Sequence, residues 1–382
     1  MSYKILYWAE KFWPDIGGIE IFSCHLMEAL ARRGYEFAVV TSVSNYAEHT
    51  EYCGIPVHRF PFHTALTNRD VVLIKEILSG IGALKKEFGP HLIHLNTCGP
   101  SLFFHERALS RQPSPVLFTV HGLWEKDIDR LAKTGIESLL CRVLEKASLI
   151  TAVSEATRKN LLKLVPKIAP YCSVVHNSLK KSDLRPEKLP FSPPRILCIG
   201  RLSNGKAFDL MIRALAALKN TNPDTRLQIV GDGDERENLE SLAAELGVNE
   251  QVEFSGWVAP PDIPRLLNTA TLLVAPSRGV ESFGLVALEA AQMERPVVVS
   301  DAGGLPEVVQ HGVSGFVFPS ENVERLVEAV RKLLSDERLA VSMGRAGAKR
   351  ADELFSWDSF VQHFDTLYQN LICGKSRKTK KE

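Results

Sequence analysis

Two runs of strand–helix alternation, separated by one charged, proline-rich stretch, constrain this chain more than any other feature. Residues 5–9, 37–41, 56–60, 92–95, 116–120 and 149–153 are short β-rich runs bounded by polar residues, Gly or Pro, and read as strands. Between them, residues 20–31, 71–87 and 137–146 carry apolar side chains at helical spacing. Residues 180–194 (KKSDLRPEKLPFSPP) have no periodicity and read as a linker. The alternation then restarts, with strands expected at 195–199, 227–230, 252–254, 272–275, 297–300 and 315–318. Alternation of this kind gives a mostly parallel sheet covered by helices on both faces. The expectation is an α/β chain of two Rossmann-like domains, residues 1–180 and 190–356. A last amphipathic segment, 357–372, presents Phe360, Phe364, Leu367, Tyr368 and Leu371 and is expected to pack back on the first domain, ahead of a basic tail at 374–382. Ligands of such sheets bind at the carboxyl ends of the strands, so two facing sheets would enclose a deep cleft.

Composition narrows the partners. The 382 residues hold 46 Lys and Arg against 45 Asp and Glu, a net charge of +1, so no global field draws the chain to nucleic acid. Seven cysteines without a C-x-x-C pair argue for a reducing compartment. No signal peptide opens the sequence, and no apolar run approaches the ~20 residues of a membrane span. A cytoplasmic protein is expected.

The residues that carry chemistry follow strand ends. Residues 276–291 (PSRGVESFGLVALEAA) lead from a strand through a loop into a helix expected to begin near Phe283-Gly284. The first N–H groups of a helix lack intrahelical partners and, with the dipole, favour an anion. Glu281 precedes that helix; Glu289 lies within it among Leu285, Val286 and Leu288. Burying an unpaired charge is costly, and a sugar or ribose diol would supply two donors. A single polar stripe would explain Glu289 alone, but Glu281 and the Gly284 turn in one segment favour a ligand.

A second loop, Gly200-Arg201-Leu202-Ser203-Asn204-Gly205-Lys206, directly follows the strand at 195–199. Arg201 as a planar fork and Lys206 as a point charge can converge on one anion; a solvated loop with two ordinary cations has the same sequence. Trp13-Pro14-Asp15-Ile16-Gly17-Gly18-Ile19-Glu20 opens the first helix. Gly17 and Gly18 would let backbone amides approach a diphosphate or sugar, although a plain strand-to-helix turn looks alike. His121 ends the strand at 116–120, at the ligand-binding end of its sheet or as a packed or capping histidine.

In this order the motifs resemble the retaining glycosyltransferases of family 4, which have the GT-B fold, over nearly the whole chain. The resemblance rests on Gly17-Gly18, His121, Val153-Ser154-Glu155, Gly200-Arg201-Leu202 with Lys206, Gly231-Asp232-Gly233, Phe254-Ser255-Gly256, Glu281 and Glu289 with seven residues between, and Gly303-Gly304-Leu305-Pro306-Glu307. It implies that Arg201 and Lys206 hold the diphosphate of a nucleotide-sugar donor, with the amides of Phe283, Gly284 and Leu285. Glu281 would face the transferred sugar and Glu289 the ribose. Gly256 and Val258 would flank the base, with Gly231 also on the donor side. His121 would reach the sugar, and Gly17-Gly18 would close over the phosphates. Two departures stand out: Ala207 follows Lys206 where the family usually has Gly, and Asn177-Ser178-Leu179 stands where a Gly-Val-Asp-like turn often follows the asparagine.

The implied reaction moves a hexose-type sugar from the donor to a glycan or lipid-linked acceptor with retention of configuration. Fixed cations and a helix N-terminus stabilise the charge that builds on the departing diphosphate. No cofactor and no metal is then expected, and Asp232-Gly233-Asp234 reads as a turn. An NAD-dependent oxidoreductase would need G-x-G-x-x-G, whose third glycine is missing after Gly80-x-Gly82 and Gly231-x-Gly233. A sugar-nucleotide epimerase of similar build remains an alternative. A catalytically silent sugar-nucleotide binder fits poorly with Arg201, Lys206, Glu281 and Glu289 all present. On the acceptor side, residues 158–167 (RKNLLKLVPK) could rest on an anionic membrane, or could be an ordinary solvated helix face.

Overall fold

The computed structural model describes residues 2–15, 17–43, 50–108, 114–122, 136–279 and 281–374. The chain forms two units: residues up to His176 with the C-terminal helix from Asp358, and Asn177–Trp357.

In the first unit, strands β1 (Tyr3–Trp8), β2 (Tyr35–Ser42), β3 (Glu51–Tyr52), β4 (Ile55–Phe60), β5 (Leu92–Leu95), β6 (Val116–Val120), β7 (Leu149–Ala152) and β8 (Cys172–Val174) make one sheet in the order β3-β4-β2-β1-β5-β6-β7-β8. Only the β3–β4 pair is antiparallel. The central strands are buried on both faces, as a sheet sandwiched between helices requires. Leu6, Trp8, Val40, Leu95, Phe118 and Ile150 join one apolar core, and the opposite face buries Ile5, Val39, Leu92 and Leu117 together with the polar Tyr7, His94 and Thr119. Local signals set the helix ends. Asp70 accepts from the amides of Val72 and Leu73 to start helix Val71–Phe88, and Gly89 at φ 61° ends it.

The C-terminal helix, Trp357–Ile372, buries Phe360, Val361, Phe364, Tyr368 and Leu371. Its polar anchors also lie in the first unit. Asp365 accepts from Arg33 at 3.0 Å and from the Tyr35 hydroxyl at 2.6 Å. The Tyr368 hydroxyl meets Nδ1 of His94 at 2.7 Å, while Nε2 of His94 meets Thr119 at 2.8 Å. Burial pushes the His94 pKa down to about 3, so the ring is a neutral link in this chain of hydrogen bonds.

The second unit holds β9 (Arg195–Ile199), β10 (Arg226–Val230), β11 (Val252–Gly256), β12 (Leu272–Ala275), β13 (Val297–Ser300) and β14 (Gly315–Phe318), ordered β11-β10-β9-β12-β13-β14 and wholly parallel. Among its parallel strands each sheet therefore reverses its order once, between β1 and β5 and between β9 and β12. In a doubly wound sheet the turns flanking that reversal form the ligand crevice.

Several expectations need adjusting. Residues 180–194 are not a free linker; they pack on the second unit. Leu189 enters its core, Asn268 donates to Arg185 O at 2.9 Å, and Thr271 donates to Pro190 O. Arg295, 1% exposed, donates to the carbonyls of Glu187, Met293 and Ala270. The division of the chain consequently falls at 176/177. In the basic run 158–167, Leu161 and Val165 lie in the first unit's core, with Leu162 and Leu164 packed against it. Arg158 is tied to Cys172 O and Glu155. The apolar residues of that run therefore pack largely on the first unit's own core. Among the described residues no helix is long and apolar enough to cross a membrane. The basic stretch beyond Gly374 lies outside the described residues.

Candidate functional site

The turns at the β9/β12 reversal build a compact charged site. After β9 the chain passes through Gly200-Arg201-Leu202 into a 3-10 turn, Asn204–Lys206, and then into helix Phe208–Leu218. After β12 it passes through Ser277 and Glu281 to Gly284, which starts helix Leu285–Gln292 with no side chain capping the first turn. Lys206 and Glu281, 75 residues apart, meet with Nζ donating to Oε2 at 2.6 Å. The Ser277 hydroxyl donates to the same oxygen at 3.3 Å. Glu281 is 9% exposed, and its carbonyl accepts from the Gly304 amide at 2.9 Å. Among the described residues Oε1 keeps its lone pairs for incoming donors.

Glycine makes the close approach possible. Gly284 sits at φ 102°, and a Cβ there would lie 2.6 Å from Leu305 Cδ2. The three turns after β9, β10 and β11 are laced together: Gly200 N donates to Val230 O at 2.9 Å, Leu202 N to Asp232 O at 2.9 Å, and Gly231 N to Gly256 O at 2.7 Å. A Cβ on Gly231, at φ 132°, would overlap the carbonyl oxygen of Gly200. Gly231 and Gly233 therefore pack against the neighbouring turn, a use of G-x-G unlike a dinucleotide-binding turn. Asp232 accepts from the Gly233 amide at 2.8 Å, as a turn aspartate does.

The remaining second-unit candidates are dispersed around this pair. Arg201 is exposed and its guanidinium makes no hydrogen bond among the described residues. Phe283 is buried and its ring meets Phe355 edge-on. Leu285 opens the helix. Val258 is half-buried just past β11. Glu289 projects from the helix with a little of its surface in solvent; its enclosure strips enough water to lift its carboxyl pKa to about 7. Ala207 takes the left-handed conformation, φ 54° and ψ 38°. That conformation is the physical reason a glycine suits the position after the lysine, and here an alanine adopts it.

In the first unit a second polar cluster gathers at the β1/β5 reversal. His121, just after β6, meets Oδ1 of Asn96, just after β5, at 2.7 Å. Asn96 Nδ2 donates to Ser23 Oγ at 3.1 Å, and Ser23 donates to Ile19 O at 2.7 Å in the first helix. Because Oδ1 can only accept, the proton of the neutral ring sits on Nε2. Nδ1 is left as a bare acceptor, buried and without a partner among the described residues. Burial lowers the His121 pKa to about 4, so the ring stays neutral at physiological pH. Gly17, in extended backbone, precedes helix Gly18–Ala31, and no side chain caps it; a Cβ there would overlap the Glu20 carboxylate.

Asn96, Ser277 and Arg278 escaped the sequence reading. Ser277 and Arg278 lie inside the quoted 276–291 motif, and Asn96 is a buried polar residue one step past an apolar strand, which is the one signal that could have flagged it.

Comparison with known proteins supplies the context. Residues 180–350 match the model for glycosyl transferases group 1, and residues 16–182 match that for glycosyltransferase family 4. The chain is 29% identical over 284 residues, 70% of its length and 73% of the relative's, to the GDP-mannose-dependent alpha-(1-6)-phosphatidylinositol monomannoside mannosyltransferase of Mycobacterium tuberculosis. It is 27% identical over 396 residues to the D-inositol 3-phosphate glycosyltransferase of a Nocardioides species, covering 93% of this chain and 85% of that one. Its fold matches sucrose-phosphate synthase from Thermosynechococcus elongatus, with a TM-score of 0.85 at 22% identity over 97% of this chain and 100% of that one. Anabaena HepE, solved with UDP and glucose, matches with a TM-score of 0.79 at 22% identity over 96% and 99%.

Proposed function

The chain belongs to glycosyltransferase family 4 and has the GT-B fold, and on that premise we propose that it moves a hexosyl group from a nucleoside diphosphate sugar to a glycan or lipid-linked acceptor, with retention and without a metal. The observation that carries this reading is the Lys206–Glu281 pair at the strand-order reversal, beside a helix whose first amides no side chain caps. As the bond between the anomeric carbon and the phosphate oxygen breaks, negative charge collects on the departing diphosphate. Lys206, Arg201 and the amides of Phe283, Gly284 and Leu285 meet that charge, stabilising the transition state more than the ground state. The acceptor oxygen bonds to the anomeric carbon from the same face, and its proton passes to the phosphate oxygen that leaves. No protein nucleophile is needed.

Glu281 receives sugar hydroxyls on Oε1 while Oε2 stays with Lys206. Glu289 takes the ribose diol, whose two donors compensate its desolvation. Nδ1 of His121 accepts from a sugar hydroxyl, and the Gly17-Gly18 backbone allows close approach to the donor. Val258, with Gly231 and Gly256 behind it, borders the base. A relative that depends on GDP-mannose and a fold neighbour solved with UDP support a nucleotide-linked donor.

A melting-temperature screen against UDP-, GDP- and ADP-sugars tests the reading, because a ligand of the folded state raises apparent stability. One donor class should shift the transition. Turnover with an acceptor should then survive EDTA and release a product whose anomeric configuration matches the donor. No shift with any sugar nucleotide would refute the donor assignment. Conversion of the donor sugar without an acceptor would point to an epimerase instead.

A further inference from the structure

We propose that Arg278 is the positioning residue that holds the Lys206 loop in its donor-ready shape, an inference that rests on the assignment of Lys206 to the diphosphate. The loop has little to hold it by itself. Lys206 N donates to Ser203 O at 2.9 Å and Ala207 N to Asn204 O at 3.1 Å, and the turn ends in the left-handed Ala207, a conformation that disfavours an alanine by ~1 kcal/mol. Two of its carbonyls, one of them shared with the turn's own bond, also accept from a single residue of the β12 turn. The Arg278 amide donates to Gly205 O at 2.9 Å, and Nη1 of the same residue donates to Asn204 O at 3.1 Å.

The guanidinium also reaches past the lysine. Nη2 donates to Asp209 Oδ2 at 2.9 Å in the first turn of helix Phe208–Leu218, and Nε and Nη2 pair with Glu321. Arg278 thus grips the loop on both sides of Lys206, at Asn204 and Gly205 before it and at Asp209 after it. Its side chain is only 20% exposed, and hydrogen bonds to Asp209 and Glu321 raise its pKa against the effect of burial. Glu281, which receives Lys206, lies three positions further along the same segment. One stretch of chain therefore supplies both the clamp for the lysine's loop and the lysine's counter-ion. A planar five-donor fork makes these contacts together, which a lysine in its place could not. Arg278 acts through Lys206 and not on the donor.

The test is a double-mutant cycle in the full chain: Arg278→Ala, Lys206→Ala and both together, with GDP and UDP titrated calorimetrically and GMP and UMP as controls. Circular dichroism checks that each variant folds. The diphosphate that binds the wild type should lose about tenfold in affinity with Arg278→Ala, while its monophosphate loses far less. In the Lys206→Ala background, Arg278→Ala should add no further loss. Asp209→Asn, which removes one anchor of the clamp, should give a smaller loss with the same dependence on Lys206, and covers the case of an unstable Arg278→Ala. Losses that multiply in the double variant, or that are equal for mono- and diphosphate, would overturn the role. If Lys206→Ala binds both diphosphates as the wild type does, the donor site itself is wrong and the role of Arg278 falls with it.

Discussion

Replacing Glu289 by glutamine should change the pH dependence of stability in a direction the structure dictates. In the fold its carboxyl titrates at about 7 against an ordinary value of 4.5, because burial disfavours the charged form. Between those values the unfolded chain is ionised at this site and the folded chain still holds its proton. The folded state then binds more protons, so stability falls as pH rises through the window and levels off above it. At ~1.4 kcal/mol per pH unit the interval corresponds to ~3 kcal/mol, and the part of the side chain in contact with solvent reduces this to an expected ~2 kcal/mol. Glutamine keeps the shape and cannot ionise. Urea unfolding of wild type and Glu289→Gln should agree near pH 4.5 and diverge by pH 8, with the variant the more stable by ~2 kcal/mol. The nucleoside diphosphate should show the opposite preference. Hydroxyl donors favour the carboxylate, so wild-type affinity should rise with pH toward 8, and the variant should bind weakly at every pH. Parallel stability profiles for the two proteins would refute the claim that burial desolvates the Glu289 carboxyl.

Three further outcomes follow from the same geometry. Lys206→Ala and Glu281→Ala should each lower turnover by about two or more orders of magnitude while far-ultraviolet circular dichroism stays unchanged; wild-type rates in either variant would remove both residues from the site. Gly231→Ala forces a side chain into the Gly200 carbonyl at a positive φ, so it should cost more than ~2 kcal/mol in denaturant and abolish donor binding. Ala207→Gly relieves a left-handed alanine by ~1 kcal/mol but loses a buried methyl and gains unfolded-state freedom. Its stability should lie within ~1 kcal/mol of wild type, and a loss above ~2 kcal/mol would show that no strain is stored there.

Much of this architecture could be read directly from residue order. Strands at 92–95, 116–120, 195–199, 272–275, 297–300 and 315–318 end where the apolar runs meet Gly, Pro or polar residues, and the structure ends them at the same places. A buried parallel strand needs an unbroken apolar stretch, and its turn needs residues that release the backbone, so both signals are local. Shorter elements left no such trace. β3 has two residues and β8 has three, and helices Phe62–Thr67 and Ser101–Arg107 span two turns or fewer, too little for a period to register. The stretch 180–194 misled because its charge and prolines describe solubility, whereas its carbonyls are captured by Arg295, Asn268 and Thr271 from distant segments.

The site divides along the same line. Residue order alone determined which groups are available: a cation-bearing glycine loop after one strand, and two glutamates around a glycine-capped helix after another, in family 4 sequence. Tertiary structure decided how they are used. It joined Lys206 to one oxygen of Glu281, made Gly231 a packing contact for Gly200, desolvated Glu289, set the His121 proton on Nε2 through Asn96, and brought the Arg278 guanidinium to Asn204 O, Asp209 and Glu321. Each of these depends on strand order within a sheet and on distances between residues some tens of positions apart. Such contacts form only when the sheet closes, and no local propensity encodes them.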